Sequence, residues 1–361
     1  MSSYEFDVVI VGAGAVGLAI AENLSKTFNN VAVIEKEKQF GLHASSRNSE
    51  VIHSGIYYPH DSLKSKLCID GNNLLYNFLT KYDIDYNNCG KLIVSNSIDE
   101  DEKLEDIYNM GKEKKISSLS ILSSDEARSI EPNVKCSKAI WVKSSGIMDS
   151  HKFMQRLEYN FKANGGSIVY NTSVCDIEFK NSKYCIATSN DERISSKVLI
   201  NATGLWSDKF AELLGLNSFK IHFCKGDYFK TSRYKNLNCL IYPVPNDVSL
   251  GIHAVLQLNG DVSFGPSAYY VDDINYEIDI SQKKIFTRSI KKYLDIEESD
   301  IWPDYSGIRP KIQGKVDSFK DFYIKNEVSQ GLKNFINLIG IDSPGLTSSL
   351  AIANHVRGLI L

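Results

Sequence analysis

The sequence lacks several features that would each define a class of protein. Its seven cysteines include no CxxC or CxxH pair, so no zinc-site spacing is present, and we expect no metal. Their odd, scattered arrangement predicts buried free thiols in a reducing compartment. The formal net charge is only -3, from 41 Lys plus Arg against 44 Asp plus Glu, which leaves no basic field for a polyanion. These absences favour a small-molecule partner and no nucleic acid.

Long apolar runs are also missing. The longest, residues 8–21, has 14 residues, whereas a bilayer span needs roughly 20. Acidic Glu5 and Asp7 lie where a signal peptide would carry basic residues. We therefore expect neither a signal peptide nor a transmembrane segment. The expected location is cytoplasmic, with peripheral contact at the inner face of the membrane left open.

The chain does have the length and composition of a globular protein with about two domains. It has 361 residues, 43% of them hydrophobic and 24% charged. The first unit reads as strand, turn and helix: a β-branched run at 7–11, the glycine-rich segment 12–17, and a helical composition at 18–26. A second strand is predicted at 31–34, and Glu35 follows it, 18 residues after Gly17. This order and spacing predict a βαβ dinucleotide-binding unit.

The three glycines of this unit have separate physical roles. Gly12 permits the tight turn, Gly14 lets a pyrophosphate approach the backbone, and Gly17 allows the helix and strand to pack closely. The helix amino terminus attracts the pyrophosphate, and the Glu35 carboxylate can accept hydrogen bonds from ribose hydroxyls. The motif alone does not choose between NAD and FAD.

Two later segments favour a flavin. A strand predicted at 197–201 runs into a glycine turn at 202–206, and a strand at 336–341 runs into a turn at 342–347 before a helix. The second turn would aim backbone N–H groups and the Ser343 and Thr347 hydroxyls at a ribityl chain, a phosphate or the electron-rich edge of a flavin. Taken singly, each segment is also an ordinary strand-to-helix connection.

Together these segments resemble the FAD-dependent oxidoreductases of the D-amino-acid oxidase superfamily. The stretch 45–59 is the most specific, and with 63–68 it is similar to one branch, the L-2-hydroxyglutarate dehydrogenases and oxidases. Further agreement lies at residues 90–94, 225–228, 241–245, 251–253 and 340–347. Two departures are Glu50, where a glycine is common, and Asp227, where that branch often has glutamate.

The resemblance implies an α/β fold of two interleaved domains. A Rossmann-like FAD-binding domain, of the glutathione-reductase-like βαβ type, would comprise residues 1–80, 140–210 and 328–361. An α+β substrate domain on a mostly antiparallel sheet would comprise 81–139 and 211–327. The sequence agrees, because short runs at 240–244, 250–256 and 262–266 are separated by turn signals, at 245–247 among others. Asp149 and Ser150 predict the cap of a helix from His151 that ends at Gly165-Gly166.

The same resemblance implies a set of cofactor-binding residues spread along the chain. Val174 would contact the adenine through its backbone. The full set is Gly12, Gly14, Ala15, Val16, Gly17, Glu35, Lys36, Ser45, Ser46, Arg47, Asn48, Ser49, Val174, Ala202, Thr203, Gly204, Trp206, Arg309, Asp342, Ser343, Gly345, Leu346 and Thr347.

Oxidation of a 2-hydroxy acid by a flavin needs a base for the hydroxyl proton and a cation for the carboxylate. Histidine titrates near neutrality, and arginine binds carboxylates bidentately. His53, at the centre of the most specific stretch, is the first candidate base, with covalent attachment to the flavin or a purely structural role as alternatives. His253 is the second candidate base. Arg309, between Ile308 and Pro310, resembles the carboxylate clamp of the superfamily.

The expected reaction is the oxidation of a small 2-hydroxy acid, foremost L-2-hydroxyglutarate to 2-oxoglutarate. Lys225 is a candidate for binding a second carboxylate, and Tyr57 and Tyr242 for lining the substrate pocket. The alternatives are an amine or amino-acid oxidase of the same superfamily, and a flavin-binding module without turnover. The electron acceptor is left open between oxygen, a quinone and an electron-transfer protein.

Overall fold

The computed structural model describes residues 3–245 and 251–360, which form eight helices and twenty strands. The helices are α1 (Ala15–Leu24), α2 (Leu63–Lys81), α3 (Ile98–Glu113), α4 (Ser124–Ile130), α5 (Ser150–Ala163), α6 (Ser207–Glu212), α7 (Lys283–Ile290) and α8 (Gly345–Ile360). The strands are β1 (Ser3–Val11), β2 (Val31–Ile34), β3 (Val51–Ile52), β4 (Tyr86–Asn87), β5 (Lys91–Ser95), β6 (Leu119–Ser123), β7 (Lys138–Val142), β8 (Gly146–Met148), β9 (Ser167–Val169), β10 (Val174–Lys180), β11 (Lys183–Thr188), β12 (Arg193–Asn201), β13 (His222–Thr231), β14 (Leu240–Pro243), β15 (His253–Leu256), β16 (Val262–Gly265), β17 (Tyr269–Val271), β18 (Ile301–Lys311), β19 (Tyr323–Asn326) and β20 (Phe335–Ile339).

The first large sheet has a parallel centre. It runs in the order β10-β11-β12-β1-β2-β9, and β20 joins β12 and carries β19. Strands β1, β2, β9, β12 and β20 pair in parallel, and their carboxyl ends therefore meet at one edge. Val8 and Ile10 of β1 pack into one hydrophobic core, and Val9 and Val11 into another on the opposite face. Covering both faces in this way is typical of a parallel sheet.

Four helices cover one face of this sheet. Helix α8 packs between α1 and α2, and α5 packs against α1. Helix α5 begins at Ser150, one residue before the predicted start at His151. Asp149 caps it as predicted, because its carboxylate accepts the backbone N–H of Lys152 at 2.8 Å. The close approach of α2 to α8 depends on Gly71, since a Cβ there would lie 2.4 Å from the Thr347 carbonyl oxygen.

The second large sheet is mostly antiparallel, as expected. It runs in the order β17-β13-β16-β15-β14-β5-β7-β6, and β18 pairs with β13 along its length. The β14–β5 pair is its parallel exception. The turn signal at 245–247 lies mostly outside the described residues, as does the start of the run at 250–256. A small sheet, β3-β8-β4, adjoins both parts, and the proposed domain boundaries stay a prediction.

The cysteine expectation is only partly right. Cys68, Cys136, Cys224 and Cys239 are buried free thiols, but Cys175 and Cys185 are exposed. Both exposed thiols lie in the antiparallel β10–β11 pair, where side chains alternate between the packed and the solvent-facing side. None of the helices in the described ranges is long and apolar enough to cross a bilayer.

Candidate active site

A cavity of about 410 Å³ opens at the carboxyl ends of β1, β2 and β12, where the sequence predicts the nucleotide. Its walls come from the glycine turn, the segment after β2, the start of β10 and the turn after β12. The predicted cofactor residues that line it are Gly12, Gly14, Val16, Gly17, Glu35, Lys36, Ser45, Val174, Ala202, Thr203, Gly204 and Trp206.

The glycine turn is too tightly packed to hold side chains. Gly12 has a φ of +107°, and a Cβ there would lie 2.4 Å from the Ala202 carbonyl oxygen. A Cβ on Gly17 would lie 2.0 Å from the Gly12 carbonyl oxygen. A Cβ on Gly14 would lie 2.8 Å from Ser45 Oγ, in the space beside the helix amino terminus. Glycine at these positions therefore keeps the strand, turn and helix closely packed and leaves space for an anion beside the start of α1.

Glu35 stands at the end of β2 with its carboxylate on the cavity wall. Its Oε2 accepts the Ala13 N–H at 2.7 Å, and its Oε1 accepts the Glu37 N–H at 2.9 Å. These bonds fix the carboxylate beside the glycine turn, and its remaining lone pairs can accept hydrogen bonds from ribose hydroxyls. The residues present therefore fit the adenosine and pyrophosphate of a dinucleotide.

A cluster of polar and aromatic residues closes one side of this cavity. The Lys36 ammonium lies over the Trp206 ring, 2.9 Å from its centroid, and burial lowers the Lys36 pKa. His43 bonds both Glu37 Oε1 and the Tyr276 hydroxyl at 2.9 Å. Sequence reasoning missed His43 and Glu37, although His43 precedes the specific stretch 45–59 by only two residues.

A second cavity, of about 180 Å³, continues the first. The two share Val16, Ala44, Ser45, Pro310 and Ile341 in their walls, so they form one elongated cleft. The second brings together residues that lie far apart in the chain. The predicted residues on its walls are Ala15, Val16, Ser45, Arg47, Asn48, Ser49, His53, Tyr57, Tyr242, His253, Arg309, Asp342, Ser343, Gly345 and Leu346.

His53 is held in place through its backbone. Its N–H donates to Thr347 Oγ1 at 3.1 Å, and its carbonyl accepts from Asn72 Nδ2 at 2.9 Å. Burial, together with the positive charge of Lys91, lowers the pKa of the imidazole to about 3. The ring is therefore neutral at pH 7 and able to accept a proton.

The second histidine is part of an aromatic stack. His253 on β15 and Tyr242 on β14 are directly opposite each other, because Ile241 pairs with Ala254. Their rings lie 3.5 Å apart between centroids and 7° from parallel. This stacking presents both side chains to the second cavity as one rigid wall.

Two arginines give the second cavity its positive charge. Arg309 Nη2 donates to the Ser267 carbonyl at 2.5 Å, and Arg47 Nη1 donates to the Ser306 carbonyl at 3.3 Å. The carboxylate on the wall, Asp342, is neutralised by Lys64 at 2.7 Å and lies 4.0 Å from Lys311. An anionic ligand therefore finds net positive charge, with guanidinium groups suited to a carboxylate.

Three predicted site residues are not on the walls of these two cavities. The Lys225 ammonium is buried and donates to the Glu277 carbonyl. Thr347 is buried and acts through the His53 backbone instead. Ser46 lines a third cavity of about 190 Å³, which shares Asn48 and Ser49 with the second. Their proposed contacts with cofactor or substrate stay predictions.

Several residues of the second cavity were not predicted. Tyr58 lines it and its hydroxyl lies 3.3 Å from Ser343 Oγ. Tyr228 also lines it and stacks on Tyr305, with centroids 4.3 Å apart. Lys91 lies behind the wall, fully buried at 1% exposure. Tyr58 stands beside Tyr57 in the specific stretch. Lys91 lies in the stretch 90–94 that agrees with the family, but the sequence alone does not show that its side chain is buried.

The chain is similar to known FAD-dependent enzymes, in agreement with a cleft that fits a dinucleotide. The sequence profile of the family described as DAO, FAD dependent oxidoreductase, matches residues 7–359. The mitochondrial L-2-hydroxyglutarate dehydrogenase of Arabidopsis thaliana is 37% identical, over 98% of this chain and 83% of that protein. The corresponding protein of Caenorhabditis briggsae is 31% identical, over 98% of this chain and 92% of its own length.

A solved structure agrees with the fold over the whole chain. L-alpha-glycerophosphate oxidase from Mycoplasma pneumoniae, reduced with dithionite and with FAD bound, superposes with a TM-score of 0.89. It is 26% identical, and the match covers 100% of this chain and 95% of that one.

Proposed function

Because this chain belongs to the family of FAD-dependent oxidoreductases, we propose that it oxidises the C2 hydroxyl of L-2-hydroxyglutarate to the ketone of 2-oxoglutarate. FAD is its cofactor. The two relatives described above carry the name of this dehydrogenase. The observation that carries the proposal is the second cavity, where two arginines and two histidines converge and the one carboxylate is already paired.

The substrate's C1 carboxylate would bind the guanidinium of Arg309. This group is fixed by its bond to the Ser267 carbonyl, and Gly226 leaves it room, since a Cβ there would lie 2.3 Å from Nη2. Arg47 supplies further positive charge on the same cavity. Clamping one carboxylate fixes the neighbouring C2 atom and its hydroxyl relative to the cleft.

The reaction breaks the C2–H bond and the O–H bond of the hydroxyl, and it forms a second bond between C2 and the oxygen. The chemistry that bound FAD would supply here is an acceptor for the C2 hydrogen and its electron pair. The neutral His53 imidazole takes the hydroxyl proton, and the oxygen forms the C=O double bond with C2. His253 is the second candidate for this base, and its stack with Tyr242 otherwise shapes the wall.

The test is anaerobic reduction of the FAD-loaded protein. We expect L-2-hydroxyglutarate to bleach the flavin absorbance, whereas glycine, sarcosine and D-amino acids leave it unchanged. Bleaching by an amine would assign the protein to the amine or amino-acid oxidases. Bleaching by L-alpha-glycerophosphate instead would overturn the choice of substrate, and absence of bleaching by the whole panel would overturn turnover itself.

A further inference from the structure

We propose that Lys91, buried behind the rings of Tyr57 and Tyr242, is a positioning residue that makes this end of the cavity a subsite for a second carboxylate. The inference rests on the proposed function, because it concerns how a dicarboxylate is distinguished from a monocarboxylate. It gives Lys91 the role of attracting the second carboxylate, for which Lys225 was the candidate from the sequence.

The Lys91 ammonium faces aromatic rings in place of a counter-ion. Its Nζ lies 4.8 Å from the Tyr57 ring centroid and 4.7 Å from the Tyr242 ring centroid. In the described part of the chain, no carboxylate lies within salt-bridge distance of it. A buried, unpaired cation is costly, so its retention indicates that a ligand completes its environment.

The Tyr57 hydroxyl is the group that would contact this ligand. It is buried and has no hydrogen-bond partner among the described residues, although Tyr57 lines the second cavity. A cation over the ring face draws electron density from the phenol, which makes its O–H a stronger donor to a carboxylate oxygen. Lys91 thus acts on the ligand through Tyr57.

The strand order places this subsite away from the arginine clamp. Lys91 pairs opposite Leu240 on β14, which puts Tyr242, two residues on, on the same face of the sheet. Arg309 is on β18, and the strands β13, β16, β15 and β14 lie between β18 and β5. Arg309 and Lys91 therefore lie on different strands of the same sheet, and Tyr242 and His253 are on strands between them.

Four of the ionisable groups around Lys91, namely His53, Cys68, Tyr57 and Tyr242, keep one charge state near neutral pH. Burial and Lys91 lower the pKa of His53 to about 3, and burial raises that of Cys68 to about 12. Burial also raises the pKa of Tyr57 and Tyr242 far above neutrality. Burial lowers the pKa of Lys91 itself to about 7, so its charge is present below this pH and lost above it.

Lys114 is a nearby group that also titrates in this range. Burial lowers the pKa of Lys114 to about 8. Its positive charge, like that of Lys91, acts to lower the pKa of the Cys68 thiol. Its ammonium donates to the carbonyls of Gly55, Ile56 and Tyr58, on the outer side of the loop that carries Tyr57. A substitution at Lys91 that leaves Lys114 in place therefore distinguishes the effects of the two lysines on ligand binding.

The experiment measures binding of glutarate and pentanoate to the oxidised, FAD-loaded protein through the change in flavin absorbance. The two probes differ by one carboxylate replaced by a methyl group, and neither has a hydroxyl to oxidise. We expect the native protein to bind glutarate about tenfold more tightly than pentanoate at about pH 6.5. Lys91→Met should reduce this preference to less than about threefold and leave pentanoate binding unchanged. Lys138→Met is the matched control and should keep the preference, because the Lys138 side chain is 41% exposed and lies on the neighbouring strand β7.

The pH dependence gives a second measurement that needs no variant. The glutarate preference of the native protein should fall between about pH 6.5 and 8.5, as Lys91 loses its charge. In Lys91→Met the preference should be flat over this range. A preference that persists in Lys91→Met, or a fall with pH that persists in it and so belongs to Lys114, would overturn the inference.

These outcomes separate the inference from the proposed function. A native protein that binds both probes equally would show that the cavity does not select a dicarboxylate, which contradicts L-2-hydroxyglutarate as substrate. A native preference that survives Lys91→Met contradicts only the role of Lys91.

Discussion

At the scale of single residues, the His53 imidazole depends most on its surroundings. Its backbone is fixed by Thr347 and Asn72, and burial beside Lys91 keeps it neutral. An anionic substrate entering the cavity would oppose the charge of Lys91 and so raise the imidazole's affinity for a proton. The residue is therefore a weak base in the empty cavity and a stronger one when substrate is bound.

Replacement of His53 by alanine should lower kcat by about 10²–10⁴-fold, because the hydroxyl proton loses its acceptor. FAD content should stay normal. The measurement is anaerobic flavin reduction under single-turnover conditions, with His60→Ala, an exposed histidine, as control. Normal turnover in His53→Ala would move the role to His253. Flavin that remains with the protein after acid precipitation, and is lost from His53→Ala, would show covalent attachment.

The lowered pKa of His53 also predicts the pH profile. Because the imidazole is already neutral at pH 5 and Lys91 keeps its charge below about pH 6, kcat/KM should stay flat from about pH 6 to about pH 5. The acid limb should lie well below the ordinary histidine value of 6.5. Initial rates across this range, with flavin content checked at each pH, measure the profile, and a limb near 6.5 would contradict the assignment.

Gly226 controls the position of Arg309. In Gly226→Ala the new Cβ would lie 2.3 Å from Nη2 and 2.6 Å from Pro266 Cβ, so the guanidinium must move. We expect KM to rise about tenfold or more, since a charge-assisted hydrogen bond contributes about 1.5–3 kcal/mol. Gly358→Ala, on the exposed face of α8 with nothing within 4 Å, is the control and should leave KM unchanged. Steady-state kinetics with L-2-hydroxyglutarate measure KM for both variants, and an unchanged KM in Gly226→Ala would contradict the prediction.

At the scale of elements, helices α2 and α8 connect the cofactor turn to the second cavity. Lys64, in the first turn of α2, pairs with Asp342, and the Asp321 carboxylate accepts the Leu63 and Lys64 N–H groups at 2.5 and 2.9 Å. Thr347, in the first turn of α8, fixes His53. The register between these helices therefore sets the position of the candidate base.

Gly71→Ala should disturb this helix pair. Its Cβ would lie 2.4 Å from the Thr347 carbonyl oxygen and 2.8 Å from Ser348 Cα, which are backbone atoms that cannot rotate away. We expect a loss of about 1–3 kcal/mol in the free energy of unfolding, together with weaker FAD binding. Chemical denaturation and FAD titration measure the two effects. Gly358→Ala should not lower stability, because alanine favours an exposed helix over glycine by about 1 kcal/mol.

The elements with a clear local pattern could be predicted from the sequence. The strand at Val31–Ile34 is found as predicted, and α5 differs by one residue at its start, because β-branched runs and side-chain caps act locally. Helix α1 begins at Ala15, three residues earlier than predicted, since the glycine-rich segment itself enters the helix. The pairing of β5 with β14, and of β7 with β5, depends on contacts between distant residues that a local pattern does not contain.

At the scale of the whole molecule, Lys91 should reduce stability. Burial lowers its pKa from 10.5 to about 7, so between these values the unfolded chain binds more protons than the folded one. The penalty is fully present below pH 7 and disappears toward pH 10.5. Lys91→Met should therefore raise the free energy of unfolding by about 1–4 kcal/mol at pH 6. Denaturation at about pH 6 and pH 10 tests this, since a gain that is equal at both values would contradict it.

The candidate site was predictable to the extent that its chemistry lies in recognisable motifs. Most predicted cofactor residues line one continuous cleft, because strand-end turns carry them to a common edge. Lys225 has the residue type expected for an anion but is turned toward the Glu277 carbonyl. Lys91 was not predicted as a site residue, yet its ammonium lies behind Tyr57. This position depends on the pairing of β5 with β14, which a local sequence pattern does not contain.

The walls of the second cavity extend from Ala15 to Leu346 along the chain. The glycine turn is translated more than 300 residues before Leu338, Ile341 and the turn at 342–346, and the cleft is incomplete until those residues have been made. A nascent chain can therefore complete its first βαβ unit without being able to enclose FAD. Cofactor capture must follow translation of these residues, and a shortage of flavin in the cell would leave chains that have passed this point with an empty cleft.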